Sequence, residues 1–189
     1  TGLAPGERIY ASRMFGSKGY IVTFRQVDPL FTVDLSDPSN PTVMGELKIP
    51  GYSAYLHPIA EDRLLAVGMD GDMDGNLSGL AVTIFDVSNM EEPTLEHKFS
   101  MPSDGWAWSE ALWDHHAFTY HNDTLSIPAY TYDWSEDGGY DDFSGLITFD
   151  IDIENGITEL GRVDHQSLVA DSECIYNVWY EDSNYEYNC

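Results

Sequence analysis

Apolar and polar residues alternate in short runs along most of the chain, and clusters of Gly, Pro, Asn, Asp and Ser interrupt those runs. This period-two pattern predicts strands, and no stretch of about ten residues keeps a helical period. A first group of four strands is expected at 8–14, 19–24, 30–35 and 43–49, with Gly16-Ser17-Lys18-Gly19 as the first turn and Pro50-Gly51 as the stop. A second group follows at 53–59, 64–68, 80–87 and 95–99. In the third, 109–112 and 117–120 open the unit, and 124–130, 146–151 and 157–163 continue it. From Ser167 onward only the start of a further unit is legible, because Trp179-Tyr180-Glu181-Asp182 and the Asn- and Tyr-rich end are irregular.

The groups repeat one another. Val33-Asp34-Leu35, Phe85-Asp86-Val87 and Phe149-Asp150-Ile151 each set an Asp between apolar residues, and a Thr stands eight positions after each Asp, at Thr42, Thr94 and Thr158. The Asp-to-Asp steps, roughly 50 to 65 residues, are long for a solenoid rung but suit a four-stranded blade with loop insertions. Each copy reads as strand, tight turn, strand, with the Asp folding its carboxylate back onto the turn backbone. The fold class is therefore all-β: four-stranded antiparallel β-propeller blades over about 7–51, 52–105 and 106–166, with 167–189 the start of a further unit or a tail.

Several of these segments resemble the secreted bacterial and archaeal β-propeller domain family that is distantly related to WD-type propellers. They are Gly19-Tyr20-Ile21-Val22-Thr23-Phe24 with its continuation to residue 30, Asp34-Leu35-Ser36-Asp37-Pro38, Gly45-Glu46-Leu47-Lys48-Ile49-Pro50-Gly51, Tyr55-Leu56-His57-Pro58 and Ser109-Glu110-Ala111-Leu112-Trp113-Asp114-His115. The resemblance implies a propeller and a secreted or cell-surface location, and it implies no established activity. Family members carry more blades than three, and three cannot close a ring of the usual four to eight. Exposed strand edges then call for further blades or a second copy to cover them.

Composition sharpens this picture. The 189 residues carry 8 Lys plus Arg against 33 Asp plus Glu, a formal net charge of −25. Such a surface repels nucleic acid and anionic membranes, and no apolar run is long enough for a helical membrane span. At 42% hydrophobic and 13% aromatic the chain is too apolar for disorder. The acidity fits either a saline, extracellular setting, in which salt screens self-repulsion, or a surface that recruits divalent cations. The chain opens Thr1-Gly2 without a signal peptide, as expected of a processed protein or an excised piece. Cys174 and Cys189, if joined, would close a loop of roughly 15 residues, worth on the order of 3 kcal/mol in the chain-entropy picture. Two separate thiols, or partners for cysteines elsewhere, are the competing reading.

Candidate chemistry concentrates in a few places. Asp70-x-Asp72-x-Asp74-Gly75 puts hard oxygens at alternate positions of a tight loop, with Asn76 offering its carbonyl and Ser78 at the ninth place, the spacing of a structural calcium loop. A solvated acidic hairpin is the alternative. The loop carrying Asp133, Asp137 and Asp141 occupies the equivalent place in the third unit, with looser spacing. His57, Glu110, Asp114 and His115 fall in the opening strands of their units, which in propellers line the central channel, and form a candidate binding face. His115 and His116, as strand neighbours, are expected to point to opposite faces and so not to share an ion. Trp106, Trp108, Trp113 and Trp134 beside acids suggest either a carbohydrate-stacking platform or packing between blades. No catalytic residue stands out: there is no Gly-x-Ser-x-Gly elbow and no reactive-cysteine context, and 33 acids make apparent carboxylate pairs uninformative. The expected function is a non-catalytic, calcium-stabilised scaffold binding a protein or carbohydrate. An extracellular enzyme acting on polysaccharide and a subunit of a self-assembling polymer are the alternatives.

Overall fold

The computed structural model describes residues 6, 8–24, 28–101, 106–134, 140–166, 175–180 and 183–188. For 24, 28, 133–134, 140–142, 175–180 and 183–188 it describes the backbone alone. The all-β blade architecture is as expected. Strands β1 (Arg8–Phe15), β2 (Lys18–Phe24), β3 (Asp28–Asp34) and β4 (Thr42–Ile49) form blade 1, paired in sequence order and antiparallel. Blade 2 repeats this with β5 (Tyr52–Pro58), β6 (Arg63–Gly71), β7 (Leu77–Asp86) and β8 (Thr94–Ser100). In blade 3 the first strand is split into β9 (Trp106–Trp108) and β10 (Thr119–His121), both paired with β11 (Thr124–Trp134), and β12 (Tyr140–Asp152) and β13 (Gly156–Asp164) complete it. A separate hairpin, β14 (Ile175–Tyr180) and β15 (Ser183–Asn188), follows.

The repeated Asp and Thr are register partners. Asp34 faces Thr42, Asp86 faces Thr94 and Asp150 faces Thr158, each pair just beyond a bulge in the same two strands of its blade. The turn chemistry is also repeated, with one shift. The Asp34 and Asp86 carboxylates each accept the backbone N–H two residues on, at 2.8 Å, from Ser36 and Ser88. In blade 3 the strands run two pairs further, so Asp152 does this work instead of Asp150, accepting from Glu154 and Asn155.

Blade 2 shows why strands of this fold read as near-continuous apolar runs. Leu64 and Ala66 of β6, with Phe85 of β7, enter a core shared with Tyr20, Val22 and Leu30 of blade 1. Their neighbours Leu65, Val67, Leu80, Val82 and Ile84 point the other way, onto Leu125, Ile127, Ile147 and Phe149 of blade 3. Both faces of one sheet are therefore buried, because successive strand side chains alternate. The seams are also tied outside the apolar cores. Thr32 donates its hydroxyl to the Met90 carbonyl across the first seam, and the His97 ring meets the Ile153 carbonyl at 3.0 Å across the second. That ring sits 3.2 Å from where a Cβ on Gly156 would be, and Gly156 has a φ of +102°. Glycine is needed there on both counts.

Within blade 2, Arg63 grips Glu96 with two nitrogens, at 2.5 and 3.1 Å, and reaches Asp86 at 3.0 Å, joining β6, β7 and β8. Strand β1 lies beside β5, and β5 beside the segment that splits blade 3's first strand. The opening strands thus share one side of the stack, the side that lines the axis in a closed ring.

Candidate functional site

The split in blade 3's first strand creates the most chemically distinctive surface. After β9, Ser109 caps a 3-10 turn (Glu110–Leu112): its hydroxyl donates to the Pro128 carbonyl at 2.5 Å and accepts from the Ala111 N–H at 3.1 Å. The Glu110 carbonyl then accepts from the N–H groups of Trp113 and Asp114. Asp114 caps a second 3-10 turn (His115–Ala117) by accepting the His116 N–H at 2.9 Å. Asp114, His115 and His116 are therefore not strand residues, and the expectation that the two histidines diverge is corrected. The turn brings their rings to 3.9 Å between centroids, and His116 Nδ1 lies 2.9 Å from Asp114 Oδ1. The His116 N–H and imidazole hold the Asp114 carboxyl below its ordinary pKa. Among the described residues this is the one group in which three metal-ligating side chains bring donor atoms within 4.8 Å of one another. All three are exposed.

The expected channel face divides in two. His57 on β5 packs between Phe118 and Tyr120, at 5.2 and 5.4 Å between ring centroids, and its Nδ1 is buried without a hydrogen-bond partner among the described residues. Burial, and then the charge of Arg13, push its pKa down, so it is neutral at pH 7. Glu110 Oε2 is likewise buried and unpartnered among the described residues. His57 and Glu110 are thus half-buried, each with one buried polar atom, whereas Asp114 and His115 are exposed.

The acidic loop between β6 and β7 is held closed by its own hydrogen bonds. Asp72 accepts the N–H groups of Asp74 and Asn76, both at 2.9 Å, and the Asn76 side-chain amide at 2.8 Å. Asp70 lies in β6, and its carboxylate is taken up by Lys98 and by the Ser100 hydroxyl. Both reach it across β7, where Gly79 and Ala81 leave room. Burial raises the pKa of Asp70, but Lys98, Ser100 and the Gly71 N–H outweigh it and leave the net shift downward. Asp70 thus already has a cation partner from two strands away, and among the described residues Asp70, Asp72 and Asp74 do not form a group with all donor atoms within 4.8 Å of one another. Asn76 serves as a donor to Asp72, and Ser78 is the second residue of β7. In the other loop, Asp133 and Asp141 are backbone partners on a hairpin longer than the alternation predicted. Their side chains lie outside the described residues, as do Asp137, Cys174 and Cys189 with the proposed disulfide.

The tryptophans do converge. On the face of blade 3 turned away from blade 2, Trp106 pairs across strands with Tyr132, and Trp108 with Tyr130. Trp108 stacks on Trp106 at 6.2 Å, and Trp113 folds back from the turn to 4.1 Å from Trp108. Trp106 is 55% exposed and Trp113 59%, and Tyr130, Tyr132 and Val163 are exposed beside them. The Trp134 side chain lies outside the described residues. The tyrosines stood in the alternation of β11 all along, but only the pairing with β9 shows that they continue an aromatic face.

Comparison with known proteins accords with this geometry. The chain is 43% identical over 134 residues to an uncharacterized protein of Methanocaldococcus jannaschii, covering 70% of this chain and 20% of that protein. It is 46% identical over 117 residues to an uncharacterized protein of Archaeoglobus fulgidus, covering 62% of this chain and 17% of that one. It thus spans about a fifth of the length of the curated relatives it matches. The beta propeller domain family matches residues 1–187, nearly every residue that the three blades and the terminal hairpin occupy, and the chain belongs to that family.

Proposed function

We propose that these residues supply three successive blades to a larger, secreted or cell-surface propeller that works as a binding and assembly scaffold, not as an enzyme. The observation that carries this reading is the exposed aromatic face of blade 3. On the corresponding face of blade 2, Leu65, Val67, Leu80, Val82 and Ile84 are buried against blade 3, and the five aromatic rings on blade 3 offer an exposed surface on which another sheet could pack. The matched stretch is about a fifth of each relative's length, which leaves room for the blades that would do so. The acids favour a scaffold over catalysis: among the described residues, each carboxylate with a displaced pKa is displaced downward, by Asn side-chain amides, turn N–H groups, hydroxyls or a basic side chain. A general acid needs the opposite shift.

Hydroxyl-radical footprinting of the complete polypeptide tests the reading. Trp106 and Trp113 are expected to be protected at all protein concentrations. Protection only at high concentration would point to self-assembly between copies, and oxidation as fast as that of free tryptophan would make the face an open ligand platform; either result overturns the packing role.

A calcium role is narrower in this proposal than the Asp spacing suggests. A cation at the loop must displace Lys98 from Asp70 or do without that carboxylate. Adding or chelating calcium is therefore expected to leave the thermal midpoint unchanged, whereas Lys98→Met lowers it by leaving a part-buried carboxylate without its cation. A calcium-dependent rise in the parent that Asp72→Ala/Asp74→Ala abolishes would restore the loop as a metal site.

A further inference from the structure

We propose that Asp114, His115 and His116 form a surface site for a divalent transition metal with a preference for tetragonal coordination, such as Cu(II) or Ni(II). The residue types define the class: imidazole nitrogen suits copper, nickel and zinc, while calcium and magnesium take oxygen sets. Geometry narrows it. Metal–nitrogen and metal–oxygen bonds of about 2.1 Å meeting at a right angle put their donors about 3 Å apart, whereas a tetrahedral angle spreads them to about 3.4 Å. Asp114 Oδ1 and His116 Nδ1 are 2.9 Å apart, the separation of a right-angled pair, so the ion takes the place of the proton they share. The second lone pair of Oδ1 remains on the His116 N–H, which keeps the cap intact as the metal binds. His115 supplies the third donor from a ring already in contact with that of His116.

The site is held from below. The Glu110 carbonyl anchors the Asp114 N–H at 2.9 Å, and Ser109 pins the preceding turn to β11. Little backbone ordering is then left for binding to cost, and the exposed side chains need only small χ rotations to close on the ion. The remaining coordination positions face solvent, so the site accepts water or an outside ligand. This inference does not depend on the blade-packing proposal.

The test is titration of the full chain with Cu(II) and with Ni(II) in a large excess of Mg²⁺, which occupies the general acidic surface. One equivalent is expected to bind, with nitrogen hyperfine splitting in the Cu(II) electron paramagnetic resonance spectrum. His115→Ala and His116→Ala are each expected to weaken binding at least tenfold, since loss even of an outer partner of a metal ligand costs 10–100-fold. Asp114→Asn keeps a cap acceptor and so preserves the turn, and it is expected to weaken binding as well. All three residues are exposed, so an unchanged thermal midpoint without metal shows that each variant remains folded. Binding that survives in the His115→Ala/His116→Ala variant, or a spectrum without nitrogen coupling, overturns the proposal.

Discussion

Phe149→Ala is expected to destabilise the chain by about 3–5 kcal/mol, the range for emptying a fully buried aromatic site. Phe149 is completely buried at the seam of blades 2 and 3, and its ring meets Phe99 edge-on at 5.2 Å between centroids. The neighbours that would have to collapse into the space belong to two different sheets, and each sheet is held at fixed spacing by its own ladder. The cavity therefore stays largely open, and the loss falls towards the upper end of the range. For a chain of this size the thermal midpoint would fall by on the order of 10 °C. Ile84→Val, in the same core, removes one methyl and is expected to cost only about 1 kcal/mol. Urea unfolding of the three proteins checks the order, and a loss below about 1 kcal/mol for Phe149→Ala would mean that the blades do not share this core.

Gly68→Ala acts through the backbone. A Cβ at Gly68 would lie 1.8 Å from the Tyr52 carbonyl oxygen and 2.8 Å from the Ser53 Cα, and these obstructing atoms are main chain. The close approach arises where Gly68 pairs with Ser53 beside the bulge that ends before Tyr55. No rotamer change relieves such a clash, so β5 must move away from β6, carrying with it the side chains that β5 places in both seams. A cost of about 2–3 kcal/mol is expected, at the upper end for inserting a group into a packed site. Gly161→Ala is the control, because nothing lies within 4 Å of its added Cβ. That change is expected to be neutral or stabilising by up to about 1 kcal/mol, through the less flexible unfolded chain. Similar losses at both positions would count against the close β5–β6 approach.

Much of this architecture was legible from the residues alone. Period-two alternation and the recurring Asp with its Thr eight positions on are local signals, and they identified strands, turns and blades. The spacing of eight even encodes a register, since all three Asp–Thr pairs turn out to be cross-strand partners. The limits of β11 and β12 were less legible, because Asp133, Asp141 and Asp142 read as loop residues, whereas the ladder is made by backbone groups that every residue but proline carries in full.

The candidate sites depended far more on the fold. The Asp70-x-Asp72-x-Asp74 spacing is real, but it contains nothing about Lys98, which comes from two strands away and occupies Asp70 first. The opposite happened at His115 and His116. Strand geometry would have separated them, and two capped 3-10 turns that interrupt the strand bring them together with Asp114. The exposed aromatic face was scattered among residues 106, 108, 113, 130 and 132 until pairing of β9 with β11 assembled it. By itself, then, the sequence determined that this is an acidic, all-β chain of repeated four-stranded units, because alternation and turn chemistry act between near neighbours. Only the tertiary structure decided which carboxylates are already neutralised, which histidines meet and which face stands uncovered, because those outcomes turn on distances between segments that no local pattern records.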